Sequence, residues 1–207
     1  MPERLTLPLS DEDVLNLHVG DTLLINGILV TARDAAHKWL VDLFIDKTKE
    51  ASFEELGVYA AIKPVLNYGS IYHCGPVVAG LQCGKYRFVS AGPTSSLREE
   101  PYQARIIHHF HLKAVIGKGG MGERTLRACQ EEPAVYLHAV GGAAALLAER
   151  VVAVRNVHKL DFGVPEAMWV IEVANFPVVV TMDAHGNNLH DGVRQCSAAV
   201  LARLLEE

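Results

Sequence analysis

Short apolar runs that break abruptly into glycine and polar residues recur along this chain. Ile28-Leu29-Val30 gives way to Thr31-Ala32-Arg33-Asp34, residues 86–91 lead into Gly92-Pro93-Thr94-Ser95-Ser96-Leu97-Arg98, and Ala114-Val115-Ile116 is followed by Gly117-Lys118-Gly119-Gly120. Each run reads as a strand, and a stretch of helical spacing follows each polar cluster. Repeated alternation of this kind specifies an α/β domain with a mixed sheet flanked by helices, spanning 1–207 as one unit.

The remaining elements are expected as follows. Ser10-Asp11-Glu12-Asp13 marks a short helix start. Residues 22–31 hold Asn26-Gly27, which suggests two short strands joined by a tight turn. Ala36, Leu40, Leu43 and Phe44 recur at helical spacing from Asp34, giving about four turns that end in the charged stretch 46–50. Residues 51–70, with Gly57, Pro64 and Gly69, read as irregular. Strands are expected at 71–74, 134–140, 168–173 and 177–182, and helices at 100–111, 121–130, up to about 150 and over 192–206.

Composition narrows the function. Of 207 residues, 24 are acidic and 19 basic, and no basic block stands out, which argues against nucleic acid as a partner. No apolar stretch reaches the length of a membrane span, and the N-terminus lacks a secretory apolar segment, so a soluble, cytoplasmic protein is expected. Cys74, Cys83, Cys129 and Cys196 form no close pair. A zinc site of paired thiolates, or an iron–sulfur cluster bound wholly by this chain, is therefore unsupported, and the thiols read as free.

The three polar clusters sit where ligands gather in α/β sheets, beyond the carboxyl ends of strands. They supply two guanidiniums, one ammonium and several hydroxyls. A guanidinium grips a carboxylate through two parallel hydrogen bonds, a lysine adds a point charge, and glycines beside Lys118 let backbone N–H groups approach an anion. The set suits a small molecule with two carboxylates. Taken singly, each residue has a plainer alternative. Arg33 and Asp34 fit helix-surface charges, His37 fits a structural histidine, and Thr94 and Ser95 fit helix N-caps. The Lys118 loop lacks the Ser or Thr after lysine that a phosphate loop requires.

The motifs TxRDxAH at 31–37, GPTSSLR at 92–98, GKGGMG at 117–122, FGVPEAMW at 162–169 and DAHGNN at 183–188 occur in this order. Together they resemble the β subunit, or C-terminal domain, of class I iron–sulfur fumarases and L-tartrate dehydratases. The resemblance implies a swivelling β/β/α fold and a hydro-lyase that reversibly removes water from a 2-hydroxy dicarboxylate, malate foremost and tartrate as the alternative. It implies a [4Fe–4S] cluster held by a partner α subunit and none bound by this chain. The implied assembly is a heterotetramer, with a homodimer of this chain in isolation. A non-catalytic anion-binding protein of the same fold is the reading from another class. By the same resemblance Arg33, Arg98 and Lys118 hold the substrate carboxylates, with Ser95 and Gly119 beside them. Thr94 moves the proton, and His37 is a second proton-handling or orienting candidate. Asp34 is expected to hold Arg33 or His37. Where family members commonly read GPTTxxRM, this chain has Ser95 for the second threonine and Glu99 for the methionine.

Overall fold

The computed structural model describes residues 2–206. Its strands are β1 (Glu3–Thr6), β2 (Thr22–Thr31), β3 (Ser70–Tyr72), β4 (Val77–Ala79), β5 (Arg87–Ser90), β6 (Ala114–Gly117), β7 (Val135–His138), β8 (Val151–His158) and β9 (Met168–Met182). Its α-helices are α1 (Asp11–Asn16), α2 (Asp34–Leu40), α3 (Phe53–Leu66), α4 (Glu100–Phe110), α5 (Glu123–Glu131), α6 (Ala144–Glu149) and α7 (Leu189–Glu206).

The main sheet has seven strands in the order β1-β2-β3-β6-β7-β9-β8. β1, β2, β3, β6 and β7 are parallel to one another, and β9 runs antiparallel to β7. β9 also pairs with β2, so β2, β3, β6, β7 and β9 close on themselves. Such closure leaves β1 and β8 as the outer strands, each paired on one side only. β4 and β5 form a separate antiparallel pair.

Period-2 alternation divides the core between the two faces of this ring. Leu23, Ile25, Leu29, Ile116, Leu137, Trp169, Ile171 and Phe176 pack on one side. Val30, Ile71, Val115 and Tyr136 point to the other, where Trp39, Leu40, Ile62, Ile106 and Phe110 of α2, α3 and α4 cover them. The parallel strands all direct their carboxyl ends the same way, which places the segments after β2, β3, β6 and β7 together.

Several sequence expectations need correction. Residues 22–31 form one continuous strand rather than a hairpin. Asn26 Oδ1 accepts the Asn175 backbone N–H at 2.9 Å, and the register against β9 shifts between Ile25 and Gly27. The Asn-Gly pair therefore makes a bulge, because a long partner strand is present on the other side. The two strands expected at 168–173 and 177–182 are likewise one strand, β9. Residues 51–70 contain α3, started by a capping box in which Ser52 and Glu55 exchange hydrogen bonds. The long helix from Asp34 is α-helical to Leu40 and continues as a π-helical turn over Val41–Ile45. β1, β4 and β8 were not expected.

Candidate active site

Backbone hydrogen bonds stitch the three polar clusters to one end of the sheet. Ala32 N–H donates to Tyr72 O at 3.0 Å, and His73 N–H to Ile116 O at 2.8 Å. The 93–96 segment then lies across the ends of β3 and β6. Thr94 N–H donates to His73 O at 2.8 Å, Lys118 N–H to Thr94 O at 3.2 Å, and Ser96 N–H to Lys118 O at 3.0 Å. Thr94 and Ser95 are neighbours of Lys118 through this short ladder, and Arg33 directly follows Ala32 at its edge.

Arg33 stands at the N-cap position of α2. Its Nη1 lies 3.2 Å from Glu166 Oε1, and the other Glu166 oxygen accepts the Ala35 backbone N–H at 3.1 Å. Glu166 thus neutralises the arginine and caps the helix that carries it. A Cβ on Gly75 would fall 2.4 Å from Arg33 Nη1, so the guanidinium occupies the space that a side chain at 75 would need. Arg98 ion-pairs with Asp34, which brings the second guanidinium beside the first cluster. Asp34 therefore holds Arg98, and Glu166 holds Arg33; the sequence-based expectation for Asp34 named other partners.

Thr94 is partly buried, and its hydroxyl makes no hydrogen bond among the described residues. Neither Thr94 nor Ser95 caps a helix through its side chain; Ser95 occupies the N-cap position of the 3-10 turn 96–98 without doing so. Lys118 is half-buried and forms no ion pair among the described residues. Gly119 follows it, exposed and with φ +81°, a backbone shape that favours glycine and turns the loop outward. The loop borders a cleft of about 470 Å³ shared with Leu97, His190 and Asp191. A larger cavity, about 690 Å³, lies away from these residues, lined in part by Phe44, Tyr59 and Lys63.

His37 is fully buried beneath this surface. Its Nδ1 is 2.9 Å from Arg33 O and its Nε2 is 3.0 Å from Gln103 Oε1. Gln103 Oε1 is also 2.9 Å from His73 Nε2, and His73 Nδ1 is 2.8 Å from Ser96 Oγ, which accepts the Tyr136 hydroxyl at 2.8 Å. Burial pushes both histidines below the ordinary imidazole range, His73 further because His37 adjoins it. Two neutral rings whose Nδ1–H groups donate to Arg33 O and Ser96 Oγ need donors at both Nε2 atoms. The two ends of an amide differ only by a half-turn, so Gln103 meets that need by turning its –NH2 toward the rings. The resulting buried relay ties the Arg33, Gln103, His73, Ser96 and Tyr136 segments into one floor.

Glu166, Gln103 and His73 were not singled out for the site from sequence, although Glu166 lies inside the FGVPEAMW stretch; Glu99 was noted only as a departure from the family pattern beside Arg98. Glu100 has a related role: its carboxylate accepts the Gly122 N–H at 2.8 Å and the Thr125 hydroxyl at 2.7 Å, which fixes the exit of the Lys118 loop to the segment after Arg98. Asp183 of DAHGNN is buried and accepts the backbone N–H groups of Val19, His185 and Asn187. It organises its own loop.

Among the described residues no group of three or more His, Cys, Asp or Glu side chains is placed to hold a metal ion. Cys74 and Cys129 are buried, and burial pushes both thiols up to about 12. Among the described residues all four cysteines are free, and they are not gathered as the thiolate ligands of an iron–sulfur cluster would be. No helix among the described residues is long and apolar enough to cross a membrane.

Comparison with known proteins gives the relatives of this arrangement. The family model described as Fumarase C-terminus matches residues 3–193. A putative class I fumarate hydratase of Geobacillus stearothermophilus is 45% identical over 98% of this chain, which spans only 36% of that protein's length. The β subunit of L(+)-tartrate dehydratase from Escherichia coli K12 is 37% identical over 91% of this chain and 87% of its own. A putative β subunit of the same enzyme from Methanocaldococcus jannaschii is 38% identical over 90% of each chain. The chain therefore belongs to the fumarase C-terminal family, shared by class I fumarate hydratases and the β subunits of L-tartrate dehydratases.

Proposed function

We propose that this chain supplies the carboxylate-binding and proton-transfer half of a hydro-lyase site for a 2-hydroxy dicarboxylate, completed by a cluster-bearing α subunit. The observation that carries the reading is the ladder that joins Thr94 to Lys118 and His73, with Arg33 and Arg98 beside it. Two guanidiniums and an ammonium at one end of a sheet match the two carboxylates of such a substrate. Arg33 and Arg98 each face a protein carboxylate that a bound dicarboxylate would replace or share.

Dehydration requires a proton to leave the carbon next to the hydroxyl-bearing one. In this reading the Thr94 hydroxyl, unengaged by its neighbours, first gives its own proton to water, and the alkoxide so formed takes the proton from carbon. A hydroxyl is a weak base, and the positive field of Lys118 and Arg98 lowers the cost of its ionised form. His37 has both ring nitrogens engaged and no exposure, so it serves as a positioning residue for Arg33 and the floor rather than as the acid or base. In this reading the cluster belongs to the α subunit, and this chain supplies the residues that hold and deprotonate the substrate.

Malate and fumarate are the proposed pair, supported by the 45% identity to the fumarate hydratase. The tartrate reading is supported by the β-subunit relatives, whose names also support a separate α partner. Anaerobic co-expression with the α subunit, followed by dehydration assays on malate and both enantiomers of tartrate, tests the proposal. Turnover of none of the three would overturn it.

A further inference from the structure

Glu99 takes no part in the steps above, yet it is the most unusual carboxyl group near them. It has no exposure, and neither of its oxygens has a hydrogen-bond partner among the described residues. It stands at the N-cap position of α4, where a carboxylate ordinarily accepts the free backbone N–H groups, but no side chain caps that helix. The charged and titratable groups that act on it come from several elements. Arg98 lies on its own turn, Arg33 at the start of α2, Glu166 before β9, and Tyr136 on β7.

Two further buried polar atoms without partners belong to the same neighbourhood. One is Arg33 Nε, and the other is the free end of the Gln103 amide. Gln103 sits one helical turn beyond Glu99 on the same face. A carboxylate in such a place, with no donor to replace water, is disfavoured relative to its uncharged acid. Burial pushes Glu99 up to about 7, and its own backbone N–H, Arg98 and Arg33 offset this only in part.

We propose that Glu99 is the positioning residue that sets the charge around the Arg33–Arg98 clamp: as an uncharged acid it adds no negative charge to guanidiniums whose partners Glu166 and Asp34 a dicarboxylate would replace or share, and as a carboxylate it competes with that ligand. This inference rests on the clamp reading given above. An anion arriving beside Glu99 favours its protonated form, so ligand binding and proton uptake are linked. Affinity for a dianion is then full when Glu99 carries its proton and falls as pH rises through the titration of that group.

Succinate, a dicarboxylate with no hydroxyl to lose, is a suitable probe. Its binding to the co-expressed assembly is measured by calorimetry near pH 7 in buffers of different ionisation enthalpy. The wild-type protein takes up part of a proton on binding, and its affinity drops about 3- to 10-fold between about pH 6 and pH 8. Glu99→Gln and Glu99→Met bind succinate with less proton uptake and a flatter pH dependence. Unchanged uptake in both variants would overturn the role of Glu99 while leaving the clamp intact. No succinate binding by the wild-type protein would overturn the clamp itself, and this inference with it. Should both variants fail to fold, infrared spectroscopy of the wild type decides the matter. A buried protonated carboxyl band that fades as pH rises through about 7 supports the proposal, and its absence at mildly acidic pH contradicts it.

Discussion

Arg33 and Glu166, far apart in sequence, form a 3.2 Å ion pair in which the same carboxylate also caps the helix that begins with the arginine. One side chain thereby fixes both the direction of α2 and the direction of its guanidinium. Glu166→Gln keeps an acceptor for Ala35 N–H and removes the charge that holds Arg33. KM for the dicarboxylate should rise several-fold with a smaller change in kcat, because ground-state positioning is what is lost. Glu166→Ala should in addition lower unfolding stability by about 1 kcal/mol, the usual cost of a lost cap. Steady-state kinetics and denaturant titration separate the two effects.

Gly75→Ala tests the packing of the same arginine. The new methyl would meet Arg33 Nη1 at 2.4 Å and its Cδ at 3.1 Å, so the guanidinium must move. Weaker dicarboxylate binding with nearly unchanged stability is expected, measured by calorimetry and thermal melting. Wild-type affinity in this variant would show that Arg33 does not need its present position.

The sheet and the site loops were legible to different degrees, for a physical reason. The runs at 28–30, 86–91 and 114–116 carry their own alternation and end in residues that leave a strand, so the strand ends that build the site were visible locally. The Asn26-Gly27 bulge was not, because its conformation depends on Asn175, whose backbone N–H the Asn26 side chain receives. α3 was hidden by Gly57 and Pro64, although Ser52 and Glu55 announce its start. Arg33, Arg98, Lys118 and Thr94 were named from motifs. Their supports, Glu166, Gln103 and His73, were not, because a buried partner is specified by the packing and not by local spacing.

The Gln103 relay gives a prediction about stability. Gln103→Leu would leave His37 and His73 with unpaired Nε2 atoms in the core, at a cost of about 1–3 kcal/mol for each unsatisfied group. Burial lowers both histidines in the folded protein. The unfolded chain therefore binds protons that the folded chain refuses once pH falls below about 6.5. Their contribution to stability is present above that pH and lost as pH falls. Urea titrations at a series of pH values should show this loss on the acidic side. A wild-type midpoint independent of pH through this window would contradict it.

Glu99 should show the opposite slope. Its folded value of about 7 lies above the ordinary 4.5 of a glutamate. The folded protein thus holds a proton that the unfolded chain has released, and the penalty for ionising Glu99 grows from about pH 4.5 to pH 7 and then levels off. Glu99→Gln, which carries no charge, should gain up to about 3 kcal/mol relative to wild type near pH 8, at ~1.4 kcal/mol per unit. The difference should shrink toward zero near pH 4. A constant difference across that range would mean that Glu99 does not titrate as described.

In the proposed site Thr94 performs proton chemistry on a dicarboxylate held by the residues around it, and this chain supplies only half of that site. The most direct test is dehydration by the anaerobically reconstituted assembly carrying wild-type Thr94 or Thr94→Val, with each subunit also assayed alone. Turnover is expected only when both subunits are present, with a fall in kcat of about 10²-fold or more for the valine variant and little change in KM. Turnover by this chain alone, or a valine variant within a few-fold of wild type, would contradict it.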